Sequence, residues 1–100
     1  MRVRFLRPAS VEVDEAVTYF DEQREGLGDR FERDLQEAIA FSTAHPSSGK
    51  PLSRRTRKLR LRTFPYDVID VAEPDELIVV AIAHHRRRPG YWLNRLSPTM

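Results

Sequence analysis

The longest apolar run of the chain, Leu77–Ala83, constrains the fold more than any other segment. It is far shorter than the roughly 20 apolar residues of a membrane-spanning helix. A continuous apolar run of this length, which follows the turn-like sequence Glu73–Glu76, is typical of a strand that is buried on both faces. We therefore expect Leu77–His84 to lie in the centre of a sheet.

The N-terminal half predicts one strand and two helices. Arg2–Arg7 alternates charged and apolar residues, as a half-buried strand does, and Pro8 suits the first turn of a helix. Helical spacing of apolar residues then runs from about residue 9 to 45, interrupted by Gly26 and Gly28. Asp29 is the expected N-cap of the second helix. Two amphipathic helices joined by a short turn predict an antiparallel hairpin.

The C-terminal half predicts three antiparallel strands within residues 57–84. The first alternates apolar and cationic residues over Lys58–Thr63, the second covers Tyr66–Ala72, and the third is the apolar run. His45–Pro51 has the composition of a loop, and residues 89–96 form a short terminal segment in which Trp92 should pack on the core. The order strand–helix–helix–strand–strand–strand predicts an α+β fold, with the helical hairpin on one face of a mostly antiparallel sheet.

Length and composition narrow the class of protein. One hundred residues suit a single domain, residues 1–100. The chain has no cysteine, which excludes disulfides and thiolate metal sites. Charges interrupt the first seven residues, so these do not resemble a signal peptide. We expect a cytoplasmic protein without a membrane partner.

Charge is divided unevenly along the chain. Residues 1–49 contain ten acids and six bases, whereas residues 50–100 contain five acids and eleven bases. Seven cations and no acid lie between Lys50 and Arg62, and Arg86–Arg88 form a second cluster. Alternate residues of a strand share a face, so Lys58, Arg60 and Arg62 should project together and bind phosphate or an acidic peptide. Alternatively, solvent covers them or neighbouring acids pair with them, namely Asp67, Asp70 and Glu73.

The candidates for acid–base chemistry are His84 and His85. Imidazole rings beside the guanidinium groups of Arg86–Arg88 can exchange protons with a phosphodiester near neutral pH. The simpler alternative is that one ring packs under the terminal segment and the other is solvated. No metal site or cofactor is expected. The helix carboxylates are expected to form a solvated face: Glu12, Asp14, Glu15, Asp21, Glu22, Asp29, Glu32, Asp34 and Glu37.

The order and spacing of several short motifs resemble the RelE/ParE superfamily of toxins from bacterial type II toxin–antitoxin modules. The resemblance covers nearly the whole chain, although no single motif is specific. The motifs are Tyr19-Phe20, Phe31, His45-Pro46, Gly49-x-Pro51, Phe64-Pro65-Tyr66 and His84-x-x-Arg87-x-Pro89-x-Tyr91-Trp92-x-x-Arg95.

The resemblance implies a toxin that arrests growth and forms a hetero-oligomer with a cognate antitoxin. Such antitoxins often cover the apolar edge of the helical hairpin and the sheet. One branch of the superfamily, similar to RelE, cuts ribosome-bound mRNA without a metal ion. The other, similar to ParE, poisons DNA gyrase and has no established catalytic role. Whether this chain is an enzyme therefore depends on its branch.

The resemblance also implies which residues act. In the ribonuclease branch, the catalytic positions would match Lys58, Arg60, Arg62, His84 or His85, and Arg87. Tyr91 would lie near, but not at, the position of the terminal tyrosine. In either branch, the residues expected to bind the antitoxin or the target are Arg57, Lys58, Arg60, Arg62, Arg86, Arg87 and Arg88. Asp67 departs from the ribonuclease pattern, which has arginine after the tyrosine matched by Tyr66. A carboxylate there would repel the scissile phosphate. The interhelical exit loop and the nearly equal, long helices also resemble the ParE-like branch, which is therefore favoured.

Overall fold

The computed structural model describes residues 1–96, which fold into an α+β structure, as the sequence predicts. A five-stranded sheet has the order β1-β5-β4-β3-β2, in which β1 is parallel to β5 and the other neighbours are antiparallel. The elements are β1 (Arg2–Phe5), α1 (Arg7–Gln23), α2 (Leu27–Ala44), β2 (Lys50–Pro51), β3 (Thr56–Arg60), β4 (Tyr66–Glu73), β5 (Glu76–His84) and a terminal 3-10 turn (Leu93–Arg95).

The position of β5 confirms the prediction from its apolar run. The strand lies between β1 and β4, and every residue from Leu77 to Ala83 is buried. The two faces of β5 therefore contribute to two separate apolar clusters, and a register shift near Val80 changes which positions face each side. Val79 and Ile82 face the helices, whereas Ile78 and Val80 face the opposite side of the sheet.

The helical hairpin is confirmed, but the expected cap of its second helix is wrong. Gly26 precedes α2 in the left-handed region with φ 84°, and Asp29 lies within the first turn. Glycine adopts this conformation without the steric cost that a Cβ imposes. The Gly28 amide donates to Asp21 Oδ1 at 2.8 Å, and a Cβ on Gly28 would lie 2.8 Å from the Val17 carbonyl oxygen. Gly28 thus lets the two helices approach closely.

The two faces of the sheet are covered differently. On the helix-covered face, Phe31 and Leu35 of α2 pack over β4 and β5, and Phe20, Phe64 and Tyr66 surround Phe31. On the other face, the terminal segment covers only part of the sheet. Trp92 is 6% exposed there, which confirms its expected packing on the core.

Two boundaries of the sheet differ from the sequence predictions. Lys50–Pro51 pairs with β3 as a short edge strand, β2, although this stretch has loop composition. Strand β3 ends at Arg60, three residues before the end of the alternating pattern at Thr63. Neither α1 nor α2, in the part of the chain that the structure describes, is long and apolar enough to cross a membrane.

Candidate functional site

A cluster of cations lies on the sheet face opposite the helices. Lys50 of β2 is the register partner of Lys58 of β3, so their side chains leave the sheet on the same face. Arg60, two residues further along β3, shares that face. These three cations border an open depression of about 510 Å³ together with Asp67 and His85.

The depression continues into a cavity of about 310 Å³ beneath the terminal segment. Both are lined by Lys58, Asp67 and His85, and the cavity adds Arg87, Arg88 and an apolar floor that includes Ile69 and Trp92. We refer to Lys50, Lys58, Arg60 and Arg88 as the cationic surface.

Asp67 is the carboxylate within the cationic surface. Its Oδ2 atom lies 3.9 Å from Lys58 Nζ, and its Oδ1 atom lies 3.2 Å from His85 Nε2. Pairing with a neighbouring strand, one alternative that the sequence left open, therefore occurs at Lys58. Arg60 lies opposite Asp67 in the sheet register but is exposed and forms no ion pair among residues 1–96.

Arg57 and Arg62 do not share the face of Lys58 and Arg60. Arg57 points to the helix-covered face, where its Nη1 atom donates to the carbonyl oxygens of Ser47 at 3.2 Å and Gly49 at 2.9 Å. Its guanidinium group therefore holds the loop before β2. Arg62 lies in the β3–β4 loop, and its side chain is exposed. The prediction that Lys58, Arg60 and Arg62 share one strand face is wrong for Arg62, because β3 has already ended.

The carboxylate of Asp34 explains why β3 ends early. It accepts hydrogen bonds from the backbone amides of Arg62 at 3.1 Å, Thr63 at 2.9 Å and Phe64 at 3.1 Å. Three consecutive amides that converge on one carboxylate cannot continue a strand ladder. Asp34 is 7% exposed, so its expected place on a solvated helix face is wrong.

His84 and His85 face opposite sides of the sheet. His84 is the register partner of Tyr66, and its Nδ1 atom accepts the Arg86 amide hydrogen at 3.0 Å. Desolvation, followed by the charges of Arg86 and His85, lowers the pKa of His84, so its ring is neutral at physiological pH. The alternative of one ring under the terminal segment and one in solvent is met only in part. The packed ring, His84, lies against Tyr66, and the exposed His85 contacts Asp67.

Five of the expected ribonuclease residues line the cavity beneath the terminal segment: Lys58, His84, His85, Arg87 and Tyr91. Their reactive groups are nevertheless occupied. Arg87 stacks 3.9 Å above the Tyr91 ring, and the Tyr91 hydroxyl donates to Glu12 Oε2 at 2.6 Å. Burial and this hydrogen bond raise the pKa of Tyr91. The hydroxyl is therefore a poor proton donor to a substrate.

Glu12 of α1 anchors the terminal segment, a role that the sequence did not predict. Its carboxylate accepts hydrogen bonds from Arg95, Tyr91 and the Ile82 amide. Burial raises the pKa of Glu12, but these donors outweigh it, and the pKa is lowered. The i, i+4 spacing of Tyr91 and Arg95 is the one sequence signal for this anchor.

The anchor also completes the edge of β5. Strand β1 covers this edge only as far as Val79, whose carbonyl accepts the Leu6 amide. A register shift then makes Val80 an extra residue relative to β4, a β-bulge. Beyond β1, Arg95 donates to the Val80 carbonyl at 3.1 Å and Glu12 accepts from the Ile82 amide at 3.0 Å. The ion pair thus replaces the hydrogen bonds of a missing strand.

A second concave surface lies at the opposite edge of the sheet from Lys50. A groove of about 520 Å³ runs between β1, α1 and α2, and apolar side chains dominate it. Val3 and Phe5 form its floor on β1, and Leu35 and Ile39 form its α2 wall. Val3 is 40% exposed, so apolar surface on this strand is open to a partner.

Comparison with known proteins decides the family. A family model described as the ParE toxin of the type II toxin–antitoxin system parDE matches residues 3–89. The chain belongs to this family. Among solved structures, the fold is similar to a chain of the chromosomal ParDE toxin–antitoxin system from P. aeruginosa, with a TM-score of 0.72 and 16% sequence identity. The similarity covers 84% of this chain and 95% of that one. No curated protein matches the sequence.

Membership of the ParE family confirms the favoured branch over the RelE-like alternative. The chain is the toxin of a type II toxin–antitoxin system, and its partner is a cognate antitoxin. The match to the ParE toxin extends from β1 to Pro89, so it includes both the apolar groove and the cationic surface. It ends before Tyr91 and Arg95, which reach Glu12 from the terminal segment.

Proposed function

We propose that this ParE toxin inhibits growth by acting on DNA gyrase in the cytoplasm. The observation that carries the proposal is the match of residues 3–89 to the ParE toxin family. The toxin acts by binding and performs no cleavage of its own. The antitoxin forms a hetero-oligomer with it and prevents it from reaching its target.

The position of Asp67 supports a binding toxin over a ribonuclease. A phosphate placed between Lys58 and His85 would meet the Asp67 carboxylate that already contacts both. At an effective dielectric constant near 20, two like charges about 4 Å apart repel by about 4 kcal/mol. The Tyr91 hydroxyl is bound to Glu12 and His84 is neutral, so neither is available as a general acid.

The two concave surfaces suit two different partners. The apolar groove between β1, α1 and α2 fits an apolar segment of the antitoxin, whose binding would bury Val3 and Phe5. The cationic surface lies near the other edge of the sheet, so it remains available for the target. Among the cations expected from the sequence, Arg86 is exposed and its amide donates to His84, whereas Arg57 lies on the other face.

The experiment is to induce the toxin without its antitoxin and to assay the purified chain on two targets. We expect gyrase-linked DNA breaks in cells and loss of gyrase supercoiling in vitro. The matched variant His84→Gln/His85→Gln should remain as toxic as the wild type, because neither imidazole takes part in chemistry. Immediate translation arrest with cut mRNA, and untouched supercoiling, would disprove the proposal. Absence of any growth defect would identify an inactive toxin.

A further inference from the structure

We propose that the cationic surface binds the phosphate backbone of duplex DNA. This inference rests on the proposed action on gyrase, an enzyme that holds DNA while it acts. The toxin would then contact the DNA of the gyrase–DNA complex as well as the protein. The ligand class is the sugar–phosphate backbone, and no base sequence is read.

Three of the four cations of this surface are exposed and unpaired in the described part of the chain. Lys50, Arg60 and Arg88 are exposed, and none of them forms an ion pair among residues 1–96. Asp67 is the one carboxylate residue that lines the depression and the adjoining cavity. Cations on a shared face repel one another, and a bound polyanion reduces this repulsion. Binding also releases the counterions that had condensed on the polyanion.

The width of the cationic surface is similar to that of a groove of duplex DNA. Lys50 lies on β2 and Arg88 follows β5, and these strands are separated by three inter-strand steps. At about 4.8 Å per step, strands β2 and β5 lie roughly 14 Å apart across the sheet, and Arg88 follows the end of β5 by four residues. The major groove of B-DNA is about 12 Å wide. Cations at the two ends can therefore reach phosphates on both sides of one groove, with Lys58 and Arg60 between them.

The rest of the molecule carries most of the acidic side chains. Acidic side chains concentrate in the helical hairpin and at the β4–β5 turn, where Glu73, Asp75 and Glu76 lie at the far end of the sheet from Arg60 and Arg88. Approach to DNA is therefore favourable through the cationic surface and unfavourable through the helices. An acidic peptide would use the same cations, but it would not require a span of this width.

The test measures binding of the full-length toxin to a short, labelled DNA duplex of mixed sequence by fluorescence anisotropy. We expect affinity to fall about 100-fold between roughly 50 mM and 200 mM salt, as for about four phosphate contacts. Lys50→Glu/Arg88→Glu should weaken binding by at least about tenfold and reduce the salt slope by about two. The control Arg30→Glu/Arg33→Glu alters two exposed arginines of α2 by the same net charge and should change affinity less than about twofold.

Three results would overturn the inference. Equal losses of duplex affinity in Lys50→Glu/Arg88→Glu and in the control Arg30→Glu/Arg33→Glu would mean that net charge alone drives binding. Weaker binding of Lys50→Glu/Arg88→Glu to the antitoxin, with unchanged binding to the duplex, would assign the surface to an acidic peptide. Inhibition of gyrase by that variant at wild-type potency would leave the proposed function standing without a DNA contact. Lys50→Gln/Arg88→Gln, checked by thermal melting, repeats the test with neutral side chains in case charge reversal impairs folding.

A wild-type toxin that leaves gyrase supercoiling untouched would disprove the proposed function itself. This outcome is distinct from the three above, because it appears in the wild-type chain before any cation is changed.

Discussion

Glu12 and Asp70 are both carboxylates at a junction between a helix and the sheet, yet their surroundings move their pKa values in opposite directions. At Glu12, burial is outweighed by donors from Arg95, Tyr91 and Ile82, and the pKa is lowered. At Asp70, burial outweighs the Ser42 hydrogen bond and the attraction of Arg57, and the pKa is raised to about 6.

The difference shows what a buried carboxylate needs to remain charged. Glu12 faces a guanidinium group that donates to both of its oxygens, an arrangement that gives strong hydrogen bonds. Asp70 shares Arg57 with the carbonyl oxygens of Ser47 and Gly49, so that cation compensates its charge less completely. Glu12 therefore stabilises the fold as an anion, whereas the charge on Asp70 opposes folding at neutral pH.

The largest effect is expected for Glu12→Ala. The substitution leaves the partly buried Arg95 without its ion-pair partner and releases the Tyr91 hydroxyl. Breaking such a pair costs about 3–5 kcal/mol, so the melting temperature should fall by at least about 10 °C. Calorimetry of the variant beside Glu15→Ala, which alters an exposed carboxylate of the same helix, checks this. Equal melting temperatures in the two variants would contradict the anchor.

The wild-type stability contributed by Glu12 should also depend on pH. Because its folded pKa lies below the unfolded value, this stability is present above about pH 4.5 and is lost as pH falls further. The terminal segment should therefore loosen in acid before the helical hairpin unfolds. Fluorescence of Trp92, the single tryptophan, reports on that segment directly.

A smaller effect of opposite sign is expected for Asp70→Asn. Since the folded pKa is above the unfolded value, Asp70 binds a proton more readily in the folded state, and its contribution becomes less favourable as pH rises through about 6. The amide removes this penalty and should raise the free energy of unfolding by about 1–3 kcal/mol at neutral pH.

Urea denaturation at pH 5 and pH 7.5 checks the prediction for Asp70. The gain of the variant over the wild type should shrink at the lower pH, where the wild-type carboxyl is protonated. The exposed Asp29→Asn, which also removes one carboxylate, is the matched control. A variant less stable than the wild type at pH 7.5 would mean that the attraction between Asp70 and Arg57 exceeds the cost of burial.

Glu12 and Asp34 show where reasoning from the sequence stops. Apolar spacing correctly predicts the hairpin, β1 and the central place of β5, because burial of apolar side chains is a local requirement of each element. Glu12 and Asp34 were expected on a solvated face because their partners lie 70 and 28 residues away, at Ile82 and Arg62. Helical periodicity carries no information about a partner at that distance.

The sequence predicted the positions of some cations of the candidate site but not of others. The alternating pattern correctly placed Lys58 and Arg60 on one face, which follows from the period of a strand. It placed Arg62 wrongly because the end of β3 depends on Asp34, a residue of α2. The inclusion of Lys50 depends on the pairing of β2, which two residues with loop composition do not predict.

The smallest effect concerns Asp67, which extends the comparison from buried carboxylates to the exposed cationic surface. Here the carboxylate competes with an external anion for Lys58, so Asp67→Asn should increase affinity for a DNA duplex about two- to fivefold, the range expected for an exposed pair. Anisotropy titrations beside Asp75→Asn, which removes an equal charge at the far turn, measure this difference. A decrease in affinity would mean that Asp67 holds Lys58 and His85 in the orientation that the partner requires, and its carboxylate would then be part of the binding surface.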